Sequence, residues 1–195
     1  DFYRKARAVL CQTNFACSIL HRNIELKNLI NLDGNLWSEG DIRFLEELLS
    51  SSNQPESRSA KWGVIKSNNP NKGLPETISY CHKNKIPYAY IGDPLFKNFM
   101  NQVSQCEGVI LLPRWVETFN RFLVEARALN CKVMTNKKVG CVQDGWMQFK
   151  GEKMIEKMRS SKKRIFELYD RLVNKKDVEF FKSNLPRVTI MTTFI

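Results

Sequence analysis

The chain has 195 residues, 43% apolar and 26% charged, which is enough to bury a core of ordinary domain size and too apolar for wholesale disorder. Its longest uncharged apolar run, residues 108–113, falls far short of the roughly 20 residues a membrane span requires, so no span is expected. The net charge of +11 points to an anionic partner, and the stretch 132–176, with 13 Lys/Arg against 5 Asp/Glu, carries +8 of it.

Residues 7–12 read as a short buried strand, 14–23 as a helix, and 27–32 as a second strand closed by the turn Asp33-Gly34-Asn35. Apolar residues at 42, 45, 48 and 49 lend 41–49 a helical period. Residues 50–59 are polar and rich in breakers and read as a linker. Beyond it strands and helices alternate: strand 61–66, polar loop 67–73, helix 75–83, strand 88–92, helix 95–103, strand 108–113, helix 118–129 and strand 132–135. Short, continuously apolar strands alternating with helices predict a Rossmann-like α/β fold, a parallel sheet with helices on both faces. Residues 152–173 predict a long helix, apolar at 154, 155, 158, 165, 168, 169 and 172 and basic on the opposite face. Residues 177–183 are expected to add a helical turn or two, and 186–195 a strand.

The expected organisation is 1–49 as the end of one domain with its connecting segment, 50–59 as a linker, 60–173 as the Rossmann-like domain, and 174–195 as a linker with the start of a following domain. The opening Asp1-Phe2-Tyr3-Arg4-Lys5 has neither an initiator Met nor an apolar leader, so the chain reads as excerpted from a longer polypeptide without a signal peptide. The cysteines at 11, 17, 81, 106, 131 and 141 form no C-x-x-C pair, and with only His21 and His82 beside them zinc-ligand spacing is absent. They read as reduced packing residues of a cytoplasmic protein, and no metal is expected.

On a parallel sheet, ligands sit at the carboxyl ends of the strands, in the loops that lead to the helices. The stretch from Pro113 to Ala126 leaves a buried strand, turns, and enters a helix whose core face is Phe119, Phe122, Leu123 and Ala126. A helix entrance carries unpaired amides and the positive dipole end, which favour phosphate. Glu117 stands at that entrance and Glu125 follows about 12 Å along the axis, a separation suited to the two ends of a folded diphosphate ligand. Ionised carboxylates accept hydrogen bonds, and sugars and riboses are rich in hydroxyl donors. Read alone, the same two glutamates also fit a solvated helix face. Trp115 reads as a core residue ahead of the wall of a sugar pocket, and Asp93 fits a helix cap or a contact at a strand end. His82 has no motif around it, and two histidines build no Ser-His-Asp or Cys-His set.

The stretch resembles the signature of the GT-B glycosyltransferases of family four, also called group one. There a strand ends in Pro-Ser, a glutamate and a Gly-Phe-Gly turn follow, and a second glutamate comes eight residues after the first. Pro113, Glu117, Phe119, Glu125 and Ala126 fall in register, with Val133 and Gly140 downstream; the resemblance covers 61–173 and, more weakly, 8–35. It implies that Glu117 contacts hydroxyls of the transferred sugar and that Glu125 holds the nucleotide ribose. A second family element, an arginine followed five residues later by Lys-Gly, binds the diphosphate. Lys72-Gly73 matches the Lys-Gly, whereas Ser67 stands where the arginine is expected, with Lys66 beside it. Thr118 and Asn120 replace the glycines flanking Phe119, and Arg114 replaces the serine.

The resemblance thus implies the donor-binding portion of a glycosyltransferase. Such an enzyme moves a sugar from a nucleotide diphosphate-sugar to a hydroxyl of a carbohydrate or lipid-linked acceptor, with retention, in glycan or polysaccharide synthesis. Glu117 and Lys72 take the catalytic roles. Glu125, Lys66, Ser67, Gly73, Phe119, Asn120 and Arg121 bind the donor, and the amides of the last three stabilise the leaving diphosphate. Neither cofactor nor metal is implied. Most of the acceptor domain would precede Asp1, so this portion alone is not expected to turn over substrate. Residues 188–194 resemble the opening strand of a family-two, GT-A type, glycosyltransferase domain. The rival reading is a non-catalytic nucleotide-sugar-binding or scaffolding module. The basic stretch leaves an anionic membrane surface open as a peripheral partner. Nucleic acid is the least expected partner, because no aromatic stacking platforms interleave the basic residues.

Overall fold

The computed structural model describes residues 2–51, 59–174 and, for the backbone alone, 188–190. It is an α/β protein with two parallel sheets. In the first, β1 (Ala8–Cys11) lies between β2 (Leu29–Asn31) and β7 (Val188–Ile190), both parallel to it. β1 is buried at every position. The chain leaves it into α1 (Asn14–Ile24), which starts where the Thr13 hydroxyl accepts from Ala16 N at 3.0 Å. Ala16, Cys17, Leu20 and Ile24 of α1 cover Val9 and Cys11.

The second sheet has the order β4-β3-β5-β6, built from β3 (Ser59–Ile65), β4 (Tyr88–Ile91), β5 (Cys106–Leu111) and β6 (Lys132–Thr135), all parallel. Its connecting helices are α3 (Leu74–Lys83), α4 (Phe96–Ser104) and α5 (Arg121–Ala128). Successive side chains of a strand point to opposite faces, and β5 uses both. Val109 and Leu111 join the larger core with Met100, Val103, Leu123 and Ala126, while Ile110 packs with Val64 and Cys81 of α3 on the other side. Helices on both faces of a parallel sheet make the fold Rossmann-like, as the alternation of elements predicts.

Two more helices complete the packing. α2 (Glu39–Ser51) precedes the breaker-rich stretch, yet Ile42, Leu45 and Leu49, with Trp37 before them, enter the core of the second sheet. After the short α6 (Gly140–Gln143) comes α7 (Gly151–Val173). Met154, Ile155 and Met158 in its first half pack into the same core, while Ile165 and Leu172 in its second half pack on Ala8, Leu10 and Leu32 of the first unit. Each such buried side chain contributes about 1.5–3 kcal/mol of transfer free energy, so α7 holds both sheets at once. Asp33 pins the junction: its carboxylate accepts from Lys157 Nζ at 2.7 Å and Trp146 Nε1 at 3.2 Å, and it forms an ion pair with Arg164 Nη1 at 3.2 Å.

The helix expected over 118–129 begins only at Arg121. Glu117 forms a parallel bridge with Val139, and Asn120 adopts φ 79°, so the chain from 117 to 120 cannot be helical. Of the linker over 50–59, residues 52–58 lie outside the described residues, and Ser59 already belongs to β3. The expected turns over 177–183 also lie outside them. Of the strand over 186–195 only 188–190 is described, and it adds to the first sheet beside β1.

Candidate functional site

The second sheet changes direction at its centre. From β3 the chain moves outward to β4, then returns to the opposite side of β3 for β5. The loops leaving β3 and β5 therefore part at their carboxyl ends, the place where open parallel sheets receive ligands. The β3 loop closes with a 3-10 turn, Pro70–Lys72, ending in Gly73 at φ 66°. A Cβ on Gly73 would stand 1.9 Å from the Leu112 carbonyl oxygen, so only glycine lets this turn lie against the exit of β5. Arg114 N donates to Asn71 O at 2.9 Å and fastens the two loops. Lys72 Nζ is thereby brought 2.8 Å from Glu117 Oε1.

Glu117 is held from behind by a third loop. Its N–H donates to Lys138 O at 2.9 Å, and its carbonyl accepts from Gly140 N at 2.9 Å. Gly140 sits where the two units touch: an added Cβ would lie 2.1 Å from Thr118 O and 2.6 Å from Thr13 Oγ1. Asn120 reaches its positive φ without glycine, in keeping with the tolerance of Asn for that region. Its Oδ1 caps α5 by accepting from Leu123 N at 3.2 Å, and its Nδ2 stands 3.4 Å from Glu117 Oε2. Among the described residues the second oxygen of Glu117 thus has only this long contact, and it keeps room for another donor.

Glu125 is 5% exposed. Its Oε1 accepts from Trp37 Nε1 at 3.0 Å and from the Arg121 guanidinium at 3.1 Å, while Arg121 also lies over the Trp37 ring and 3.8 Å from Asp41. Burial pushes the Glu125 carboxyl above its ordinary pKa; the Arg121 charge and the hydrogen bonds from Trp37 and Arg121 only partly oppose it.

A cavity of about 240 Å³ opens between the units. Gln12 and Asn35 line it from the first unit, and Lys72, Glu117, Asn120, Arg121 and Phe122 from the second. Of the residues singled out in the sequence, Lys72, Glu117, Asn120 and Arg121 meet here. The others lie elsewhere. Lys66 is exposed off the cavity, the Ser67 hydroxyl accepts from Asn69 N at 3.2 Å, and Gly73 is buried under Leu112. Phe119 is 1% exposed, edge-on to Trp37 and Trp146. Glu125 reaches the cavity only through Arg121. Trp115, expected in the core, is 70% exposed on the β5–α5 loop, and Asp93 accepts from Leu95 N at 2.8 Å at the start of α4.

Gln12, Asn35 and Trp37 are additions from the fold. Gln12 carried one faint signal, a polar side chain closing an apolar strand. Trp37 carried none, because its partner Glu125 is 88 residues away. Among the described residues no three His, Cys, Asp or Glu side chains converge as metal ligands, and no helix is long and apolar enough to cross a membrane.

Fold and site together define a Rossmann-like α/β protein with a polar cleft at the switch point of its larger sheet, facing a second parallel sheet. No protein-family model matches the chain, and no curated protein matches it.

Proposed function

We propose that the chain is the nucleotide-sugar-binding portion of a GT-B glycosyltransferase of family four, acting on a hydroxyl of a carbohydrate or lipid-linked acceptor. The observation that carries this reading is the Lys72–Glu117 pair at the switch point, on a cleft also lined by Gln12 and Asn35 from loops that follow the strands of another parallel sheet. A donor diphosphate would lie against Lys72 and the entrance of α5, where a cation and helix amides offset the charge that builds on the leaving group. Glu117 then has two tasks. Oε1 orients the Lys72 ammonium, and Oε2 accepts a hydroxyl of the transferred sugar. Glu125 would take the ribose, with a ribose hydroxyl displacing Arg121 from the carboxylate. Arg121, so released, would turn toward the diphosphate in place of the arginine that Ser67 replaces.

The rival, a module that binds a nucleotide-sugar without turnover, draws on the engagement of Glu125 by Trp37 and Arg121. A thermal-shift panel of UDP, GDP, ADP and their sugars tests both, since a ligand that binds only the folded state raises stability by mass action. One nucleotide class should raise the melting temperature, more so with its sugar attached. No shift with any of them at millimolar concentration contradicts both readings. Radiolabelled transfer to a lipid-linked or glycan acceptor by the full-length protein then separates enzyme from module.

A further inference from the structure

Gln12 belongs to the first unit, just beyond β1, and lines the cavity opposite the Lys72–Glu117 pair. It is 7% exposed. A buried primary amide carries two N–H donors and a carbonyl acceptor, and each needs a partner. The carbonyl has one: Thr118 Oγ1 donates to Gln12 Oε1 at 2.7 Å. That bond fixes which way the amide faces. Among the described residues Nε2 donates to no acceptor, and it is not sealed in the protein interior either. The open space that Gln12 lines is the cavity. The backbone around it is equally held, for the Gln12 carbonyl accepts from Gly34 N at 2.9 Å and the Thr13 hydroxyl donates to Thr118 O at 2.7 Å.

A pre-oriented, nearly buried N–H₂ group facing two cations across a small cleft is matched by an anionic oxygen. We propose that Gln12 is a ligand-positioning residue that donates through Nε2 to a phosphate oxygen of the bound diphosphate, so that the first unit closes on the ligand that Lys72 and Arg121 meet from the second. Thr118 acts through Gln12. Its hydroxyl holds the amide with the donor side toward the ligand and spans the seam between the two units. This inference rests on the donor-binding reading above and adds to it a contact from the opposite sheet.

Titration of the purified chain with UDP, GDP and ADP, and with inorganic pyrophosphate, tests it. Gln12→Glu keeps the acceptor that Thr118 needs but replaces the donor with a second acceptor, so affinity for the nucleotide that binds the parent should fall at least about 10- to 100-fold, the range for loss of a hydrogen bond to a charged group. Gln12→Met, which keeps the volume and removes both polar atoms, should weaken binding in the same direction should the buried carboxyl of the first variant impair folding. Thr118→Val should weaken it less, and Thr118→Ser should bind like the parent. Pyrophosphate should show the same ranking more weakly, because the contact is to phosphate rather than to base or sugar. Parent-like affinity in both folded Gln12 variants overturns the inference while leaving the donor-binding reading standing. A parent chain that binds none of the four probes overturns the donor-binding reading, and the Gln12 contact falls with it.

Discussion

Lys72 and Glu117 lie 45 residues apart in the chain and meet at 2.8 Å, with side chains 12% and 8% exposed. Two opposite charges so far out of water depend on each other, because the cost of desolvating one is offset mainly by the other.

Lys72→Ala should therefore act twice. It leaves the Glu117 carboxylate buried without its cation, at a cost of about 1–3 kcal/mol in unfolding free energy, and it removes a charge that the diphosphate would meet. Urea unfolding reads the first effect and calorimetric titration the second. A variant that loses stability yet binds nucleoside diphosphate like the parent would confine Lys72 to a structural role.

Glu117→Ala separates the roles in the other direction. Lys72 remains and is released from its partner, so free nucleoside diphosphate should bind at least as well as before. Preference for the sugar-bearing form should fall by about tenfold or more, the value of one hydrogen bond to a charged acceptor. An equal loss for both ligands would mean that Glu117 supports the loop and reads no sugar.

The Glu125 carboxyl, raised by burial, makes a prediction about pH. A folded-state value above the unfolded one means that the folded protein holds the proton more tightly. The stability this contributes is full below the unfolded value near 4.5 and is lost as pH rises through the folded value. In Glu125→Gln that dependence disappears, so unfolding free energy should fall less than in the parent on going from acid to neutral pH. Parallel profiles for parent and variant would show that Arg121 and Trp37 fully offset the burial.

Much of the fold was legible because hydrophobic period reports burial within one element. The runs at Val9-Leu10-Cys11 and Val109-Ile110-Leu111 read as buried strands, and the alternation of strands and helices implied a parallel sheet. What period cannot report is a partner far along the chain. Trp37 looks like any apolar residue until Glu125 arrives beside it, and Gln12 looks like a strand end until Thr118 closes on it. The late start of α5 had the same origin: 118–129 has helical character, but the bridge from Glu117 to Val139 and the positive φ of Asn120 keep 117–120 out of the helix. Trp115 failed for the opposite reason, since an aromatic beside a buried strand is expected inside, and a loop pinned by Asn71 and Lys138 carries it out.

Trp115→Ser should accordingly leave unfolding free energy within about 0.5 kcal/mol of the parent, as for surface positions generally. A loss several times larger would return Trp115 to the core. Gly140→Ala is the contrasting case. Its Cβ would meet Thr118 O and Thr13 Oγ1 at the seam of the two units, so it should cost about 1–3 kcal/mol and weaken nucleotide binding together with stability.

Donor binding at the Lys72–Glu117 cleft is tested most directly by calorimetric titration of the purified chain with the best nucleoside diphosphate of the thermal-shift panel and with its sugar derivative. The expected result is one site per chain, tighter for the sugar derivative, with Lys72→Ala losing both ligands and Glu117→Ala losing only the preference between them. Binding that is absent in the parent, or present and unchanged in both variants, would contradict it.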